Sequence, residues 1–182
     1  MKGPITGLFT VPNLFSLLRI VLLPFIIIEL KRGTAGGNRA ALILMLIAVA
    51  TDFLDGYFAR KLNQRSDAGR IIDPLADKIA VAVISYTLTS THGLPFWFFV
   101  LLISRDLAIL LLAPFLMRHW HRIPESNWPG KVAVTAVAVV IILYTMNMQP
   151  LALWALYLSL VFIAVSIWSY MKRFLATLKG SN

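Results

Sequence analysis

Five of the eight acidic residues of this chain lie within one window of 26 residues, and four of them have the spacing of helix neighbours. Asp52 and Asp55 are three residues apart, and Asp73 and Asp77 are four apart, so each pair would share one face of a helix. Four clustered carboxylates repel one another unless cations neutralise them. Their hard oxygen atoms favour Mg²⁺ or Mn²⁺. The pattern therefore predicts two divalent cations in a site that cleaves a diphosphate.

The composition indicates which elements must position these carboxylates. The 182 residues are 59% hydrophobic and only 14% charged, whereas soluble domains have about 25% charged residues. The mean hydropathy of +0.79 also excludes a disordered chain. We expect an all-α, polytopic integral membrane protein, with residues 1–182 forming a single domain of six transmembrane helices. The predicted spans are 14–30, 40–54, 74–91, 95–117, 132–148 and 151–171.

The distribution of Lys and Arg predicts the orientation in the membrane. Six spans place both termini on one side, and that side would carry eleven basic residues against three on the other. Basic residues accumulate in cytoplasmic loops. We therefore expect both termini and the acidic window to face the cytoplasm from the cell membrane. Residues Met1–Val11 are predicted to form a short interfacial helix.

The acidic window resembles the signature of the CDP-alcohol phosphatidyltransferases, D-x2-D-G-x2-A-R-x8-G-x3-D-x3-D. All eight fixed positions of that signature are matched: Asp52, Asp55, Gly56, Ala59, Arg60, Gly69, Asp73 and Asp77. The resemblance implies that the four Asp residues bind two Mg²⁺ or Mn²⁺ ions, and that Asp77 is also the general base. It further implies attack of an alcohol on the lipid-side phosphorus of a CDP-alcohol, with release of CMP.

The resemblance also implies a donor site and an assembly. The cytidine diphosphate portion would lie against Gly56, Ala59, Arg60 and Gly69, and Ser66 matches a small hydroxyl residue that contacts the same donor in relatives. The expected partners are CDP-diacylglycerol, an alcohol acceptor, the lipid bilayer and a second copy of the chain in a homodimer. No nucleic-acid partner is expected.

The N-terminal segment and the fourth span bear on the choice of acceptor. Residues 12–19 resemble the P-N-x-x-[ST]-x-x-R opening of the phosphatidylglycerophosphate and cardiolipin synthase branches, in which Asn13 and Ser16 would contact the donor. An ordinary helix cap at Asn13 is the alternative. Arg105 lies within an apolar span, where an ionisable residue usually faces the bundle interior. It would bind an acceptor phosphate, or else neutralise the carboxylates.

Two further basic residues and the residue after Arg105 also bear on the acceptor. Arg118 and Lys131, from the next loop, would join Arg105, unless they are flanking charges of the membrane spans. Glycerol 3-phosphate is the expected acceptor, giving phosphatidylglycerophosphate. Relatives with that activity often have Glu after the matching Arg, whereas Asp106 resembles the CMP-forming cardiolipin synthases, which use phosphatidylglycerol.

Two other classes of protein fit parts of the pattern. Intramembrane prenyltransferases also bind diphosphates through Asp-rich metal sites, but they are usually longer and lack the D-G-x2-A-R core. A non-enzymatic ion or metal transporter would place its carboxylates near the middle of the bilayer. The acids of this chain instead group around one predicted loop, which favours the enzyme.

Overall fold

The computed structural model describes residues 11–61, 69–120 and 128–179, and within these ranges it describes the surroundings of the side chains of residues 18–51, 76–108, 128–169 and 171–172. Every secondary-structure element in the described ranges is an α-helix. The six helices are α1 (Val11–Lys31), α2 (Ala35–Lys61), α3 (Gly69–Thr91), α4 (Phe96–Trp120), α5 (Trp128–Thr145) and α6 (Gln149–Lys179). The all-α prediction is confirmed. The interfacial helix predicted for Met1–Val11 lies outside the described residues, except for Val11, which begins α1.

The helices are longer than the apolar runs that predicted them. α2 continues to Lys61 and α3 begins at Gly69, so the four paired Asp residues of the acidic window lie inside helices rather than at their ends. The span predicted for 74–91 therefore begins five residues later than α3 does, and Pro74 lies inside the helix. Backbone hydrogen bonds continue through polar residues as readily as apolar ones, and a proline near a helix start forfeits few of them.

The chain divides into two compact units. Residues Met1–Asp106 form the first, in which α1 packs against both α2 and α3. The buried apolar residues of these helices recur every three or four positions, as on one face of a helix. They include Leu23, Ile26 and Leu30 in α1; Ala41, Met45 and Ala48 in α2; and Ile84 and Leu88 in α3.

The second unit comprises residues Leu107–Asn182, in which α5 packs against α6. Its buried face on α6 includes the hydroxyl residues Ser159 and Ser166 as well as Ala152, Leu156 and Ile163. Small residues at such positions let two helices approach closely. Each buried Ser or Thr can return its hydroxyl to its own helix, as Ser159 does by donating to the Leu156 carbonyl at 2.7 Å.

The outward faces of both units are apolar as well. Large hydrophobic side chains are exposed on helices of each unit, including Phe25, Ile43, Val49, Val161 and Trp168. A helix that is hydrophobic on all sides is typical of a protein surrounded by lipid. Among the described residues, Trp128–Thr145 and Gln149–Ser169 are long and apolar enough to cross a membrane. Within the described residues, the other four predicted spans do not meet this criterion of length and hydropathy.

Two of the connections between helices are tight. Gly33, with φ of 62°, follows α1, and its N–H donates to the Leu30 carbonyl at 3.2 Å. Thr34 then caps α2, because its hydroxyl oxygen accepts the N–H of Gly37 at 3.1 Å. Gly93, with φ of 72°, follows α3 in the same left-handed conformation, which a side chain rarely adopts. These two turns join α1 to α2 and α3 to the start of α4.

Candidate active site

Asp77 is the member of the acidic motif whose side-chain contacts are described, and it forms an ion pair with Arg19. Asp77 lies on α3 and Arg19 on α1, so the pair joins two helices that are 58 residues apart in sequence. The Arg19 side chain is 7% exposed, whereas that of Asp77 is 45% exposed. The carboxylate thus has a buried cation on one side and an accessible approach on the other.

A second polar contact joins α3 to α4 next to this pair. The Lys78 ammonium donates a hydrogen bond to the backbone carbonyl of Asp106, with Nζ and O 2.9 Å apart. In α4, Arg105 Nη1 lies 3.6 Å from the carboxylate oxygen Oδ1 of Asp106, and the Arg105 side chain is only 10% exposed. Lys78 directly follows Asp77 in α3, and its hydrogen bond therefore links α3 to the Arg105–Asp106 segment of α4.

An aromatic contact places the same two helices side by side further along. The rings of Tyr86 in α3 and Phe99 in α4 lie with their centroids 5.7 Å apart. The contact between Lys78 and Asp106 lies eight residues earlier in α3 than Tyr86 and seven residues later in α4 than Phe99. The nearly equal steps are those of two antiparallel helices. Asp77, Lys78, Arg105 and Asp106 thus lie at the same level along this helix pair.

Most of the other predicted site residues are located by their backbone alone. Asp52, Asp55, Gly56, Ala59 and Arg60 lie in α2, Gly69 and Asp73 in α3, and Asn13 and Ser16 in α1. Their side chains, and the whole of Ser66, lie outside the described part of the chain. Asp52 with Asp55 and Asp73 with Asp77 each belong to one continuous helix, as their spacing predicted.

The predicted acceptor residues divide between the two units. Arg105 belongs to the first unit, with the contacts given above. Arg118 lies within α4 and Lys131 within α5, both in the second unit. Their prediction as loop residues is wrong, because both helices extend past the apolar runs. Lys131 is exposed, and its backbone carbonyl accepts the hydroxyl of Thr135 at 3.1 Å.

Sequence reasoning missed the roles of Arg19 and Lys78. Arg19 is an ionisable residue inside an apolar helix, which is a signal for a buried partner, but its sequence neighbours do not identify Asp77 as that partner. Lys78 directly follows a motif residue, and only the packing of α3 beside α4 brings its ammonium to Asp106. Glu29 in α1 has a partner close in sequence: Arg32 Nη1 lies 2.7 Å from Glu29 Oε1 and 2.9 Å from Oε2.

The metal prediction can be compared with the chemistry of the donor set. Within the residues that the structure describes, no three or more His, Cys, Asp or Glu side chains form a group that could hold a metal ion. The side chains of Asp52, Asp55 and Asp73 lie outside that set. Asp77 does bind a cationic group, the Arg19 guanidinium, through a carboxylate oxygen of the kind that divalent cations prefer. The one described carboxylate of the motif thus has the oxygen chemistry that a divalent cation requires.

A polar cluster at the opposite end of the first unit is structural. His92, which follows α3, is 3% exposed, and its Nε2 lies 3.0 Å from Oδ1 of Asn38 near the start of α2. Its Nδ1 lies 2.6 Å from Oγ1 of Thr91. Burial lowers the pKa of His92 below its ordinary value of 6.5. The neutral imidazole thus links the α2 and α3 ends that lie away from Asp77.

Comparison with known proteins identifies the class of this fold and motif. The model of the CDP-alcohol phosphatidyltransferase family matches residues 9–167, which include all of the acidic motif and α1 to α5. A helical protein with this motif is an enzyme that transfers a substituted phosphate group. Since the match extends over most of its length, the chain belongs to the CDP-alcohol phosphatidyltransferase family.

Individual relatives carry two activities in their names. A CDP-diacylglycerol–glycerol-3-phosphate 3-phosphatidyltransferase of Bacillus subtilis is 32% identical over 96% of this chain and 100% of its own length. An enzyme of the same name from Aquifex aeolicus is 38% identical over 71% of each chain. A CMP-forming cardiolipin synthase of Streptomyces coelicolor is 33% identical over 68% of this chain and 59% of its own.

Proposed function

We propose that this protein transfers the phosphatidyl group of CDP-diacylglycerol to sn-glycerol 3-phosphate, giving phosphatidylglycerophosphate and CMP. One observation carries the proposal: the complete eight-position motif occurs in a chain that aligns along its length with an enzyme named for this reaction. The resemblance to the family predicts the reaction type, and the name of that relative supports the choice of acceptor.

The four Asp residues of the motif would hold two divalent cations. Asp52 and Asp55 would supply ligands from α2, and Asp73 and Asp77 from α3. When bound, the cations would neutralise the donor diphosphate and stabilise the negative charge of the departing CMP. Gly56, Ala59, Arg60, Ser66 and Gly69 would bind the cytidine diphosphate portion, with Asn13 and Ser16 from the start of α1 beside it.

Asp77 would accept the proton of the acceptor hydroxyl. A bond forms between that hydroxyl oxygen and the lipid-side phosphorus, while the bond from this phosphorus to the CMP oxygen breaks. The proton passes to the Asp77 carboxylate and then to water. The 45% exposure of the Asp77 side chain is compatible with access by an acceptor. A carboxylate among cations is a weak base, so its contribution would come from position more than from basicity.

Arg105 would bind the phosphate of glycerol 3-phosphate. Its side chain is largely buried, and it lies in the α4 segment to which Lys78 is hydrogen-bonded. Lys78 is the residue that follows Asp77 in α3. A buried guanidinium binds phosphate through paired N–H groups. Arg118 and Lys131 would add to the basic surface on the acceptor side.

A CMP-forming cardiolipin synthase is the second candidate. Asp106 follows Arg105 where relatives with the first activity often have Glu, and the Streptomyces coelicolor relative carries the second name. Phosphatidylglycerol would then replace glycerol 3-phosphate as the acceptor, with the same donor and the same motif.

The protein would act as a homodimer in the cell membrane, crossing it six times with its termini and motif in the cytoplasm. The apolar outer faces of the described helices support a position in lipid. The excess of eleven basic residues over three supports the orientation. A donor with two acyl chains in the bilayer would reach this cytoplasmic level with its nucleotide in water.

The test is an acceptor panel with the purified full-length protein in detergent. Labelled CDP-diacylglycerol is supplied with Mg²⁺ or Mn²⁺, and glycerol 3-phosphate, phosphatidylglycerol and inositol phosphate are added separately. We expect CMP release to require glycerol 3-phosphate and to stop with excess EDTA. CMP release with phosphatidylglycerol alone would select the second candidate. Release that depends on no alcohol would overturn both.

Asp77→Asn is the matched variant for this assay, because it keeps the shape of the side chain and removes its charge. We expect turnover to fall by about 10²- to 10⁴-fold, the usual contribution of a general base, while the helix content is kept. Glu29→Gln, at the far end of α1, is the control and should retain activity. Substantial turnover by Asp77→Asn would exclude this residue as the base.

A further inference from the structure

The Arg19–Asp77 ion pair is unusual in its surroundings. Arg19 is 6% exposed and lies in a helix whose neighbouring residues Leu18, Ile20 and Val21 are apolar. A cation at such a position is costly unless an anion compensates it. The Asp77 carboxylate supplies that anion from α3. The sequence therefore retains a buried cation beside the accessible carboxylate of the motif.

This pair has a consequence for metal binding that follows from the proposed function. A carboxylate has two oxygen atoms, and both a guanidinium and a divalent cation bind through their lone pairs. Two cations on the same carboxylate also repel each other, and the burial of the Arg19 side chain leaves this repulsion weakly screened on that side. We therefore expect binding of a divalent cation at Asp77 to weaken its contact with Arg19.

We propose that Arg19 is a resident cation that competes with the divalent metal for Asp77. In the metal-free protein, Arg19 holds the carboxylate in place and limits the repulsion within the motif. When the metal binds, Asp77 exchanges its partner. Arg19 is thus a positioning residue that sets the metal affinity of the site. The proposal rests on the metal-dependent transferase function above, and it assigns to α1 a role in a site built on α2 and α3.

Direct binding of Mn²⁺ tests the competition without any substrate. Free Mn²⁺ is measured by electron paramagnetic resonance during titration of the full-length protein in detergent. Arg19→Gln should bind Mn²⁺ about tenfold more tightly than the wild type, within the usual range of coupling between neighbouring sites. Arg39→Gln removes an exposed charge near the start of α2 and is the control, with an expected change below about twofold.

A double-mutant cycle assigns the effect to Asp77. In an Asp77→Asn background, the change Arg19→Gln should alter Mn²⁺ affinity by less than about twofold, because the shared carboxylate is gone. Equal or weaker Mn²⁺ binding by Arg19→Gln in the otherwise native chain would overturn the proposal. So would an unchanged gain in affinity in the Asp77→Asn background.

If metal-free Arg19→Gln is too unstable for the Mn²⁺ titration, thermal unfolding with and without Mn²⁺ tests the same competition. A cation that binds only the folded state stabilises it by an amount that grows with the logarithm of its affinity. Saturating Mn²⁺ should therefore raise the Tm of Arg19→Gln by more than it raises that of the wild type, and an equal or smaller rise would contradict competition. Arg19→Lys keeps a charge at this position and should bind Mn²⁺ no more weakly than the wild type; weaker binding would also overturn the proposal.

These outcomes are separate from those of the acceptor panel. If the wild type shows no acceptor-dependent CMP release but Arg19→Gln gains Mn²⁺ affinity, the transferase function fails and the competition stands. If the panel succeeds and the gain is missing, only the role of Arg19 fails.

Discussion

The ammonium of Lys78 in α3 donates a hydrogen bond to the backbone carbonyl of Asp106 in α4, across 2.9 Å. Lys78 directly follows Asp77, the proposed base, and Asp106 directly follows Arg105, the proposed acceptor-binding residue. The bond thus sets the position of the proposed acceptor residue relative to the proposed base. It uses a main-chain acceptor, so it does not depend on the rotamer of a second side chain.

Replacement of Lys78 by Met should weaken this link while keeping the aliphatic part of the side chain. A hydrogen bond from a charged donor contributes about 1.5–3 kcal/mol to stability, and the partial exposure of Lys78 places the loss at about 1–2 kcal/mol. We expect a lower Tm and a several-fold higher KM for the acceptor. Lys31→Met, at the exposed end of α1, is the control. If the two variants have the same Tm and KM, the bond does not hold α4 in place.

Arg105→Gln should impair use of the acceptor more than binding of the donor. Loss of a charge-assisted contact with phosphate predicts a decrease of about 10- to 100-fold in kcat/KM for glycerol 3-phosphate. Steady-state kinetics with each substrate varied in turn measure this. Arg32→Gln, which loses an exposed pair with Glu29, should leave both KM values unchanged. A rise confined to the KM of CDP-diacylglycerol would place Arg105 on the donor side instead.

The buried His92 should make the free energy of unfolding decrease on mild acidification. Its pKa is lowered in the folded state by burial, so the unfolded chain takes up the proton first as the pH falls. The stabilisation is complete above the unfolded value of about 6.5 and is lost progressively as the pH falls from there toward the folded pKa. Tm measured between pH 7.5 and 5.5 should decrease in the wild type.

His92→Gln isolates this contribution, because glutamine can still bond to Asn38 but does not titrate in that interval. Its Tm should be lower at pH 7.5 and should change less with pH. A slope equal to that of the wild type would assign the acid sensitivity to other groups.

The proposed orientation can be tested with introduced cysteines, since the natural chain contains none. Lys31 and Lys172 are both exposed, at the end of α1 and near the end of α6. In intact cells, a membrane-impermeant thiol reagent should label Lys31→Cys but not Lys172→Cys. Permeabilised cells should show labelling of both. The reverse pattern would invert the orientation. Labelling of both in intact cells would place the two positions on the same side of the membrane, and this would contradict the five spans predicted between them.

Much of the helical pattern was predictable from local properties of the chain. Apolar runs located all six helices, because a segment in lipid must satisfy its backbone hydrogen bonds internally. Their ends were not predictable in the same way. α3 begins five residues before Pro74, and α2 includes Arg60, because hydropathy reports the surroundings of a residue and not where helical hydrogen bonding stops.

The candidate site was predictable in its motif and not in its contacts. The spacing of Asp73 and Asp77 within α3, and of Asp52 and Asp55 within α2, follows from the sequence alone. The partner of Asp77 does not. Arg19, Lys78 and Arg105 are all cations near apolar segments in the sequence, and nothing local distinguishes which of them meets Asp77.

The sequence by itself determined the family, the motif and the carboxylates that each helix contributes, since spacing along one helix converts directly into a shared face. Tertiary structure alone decided that Arg19 pairs with Asp77 and that Lys78 binds the Asp106 carbonyl. These contacts depend on how far each helix is rotated and shifted along its neighbour. Rotation and shift are set by the packing of many side chains between helices, which no spacing within a single helix contains.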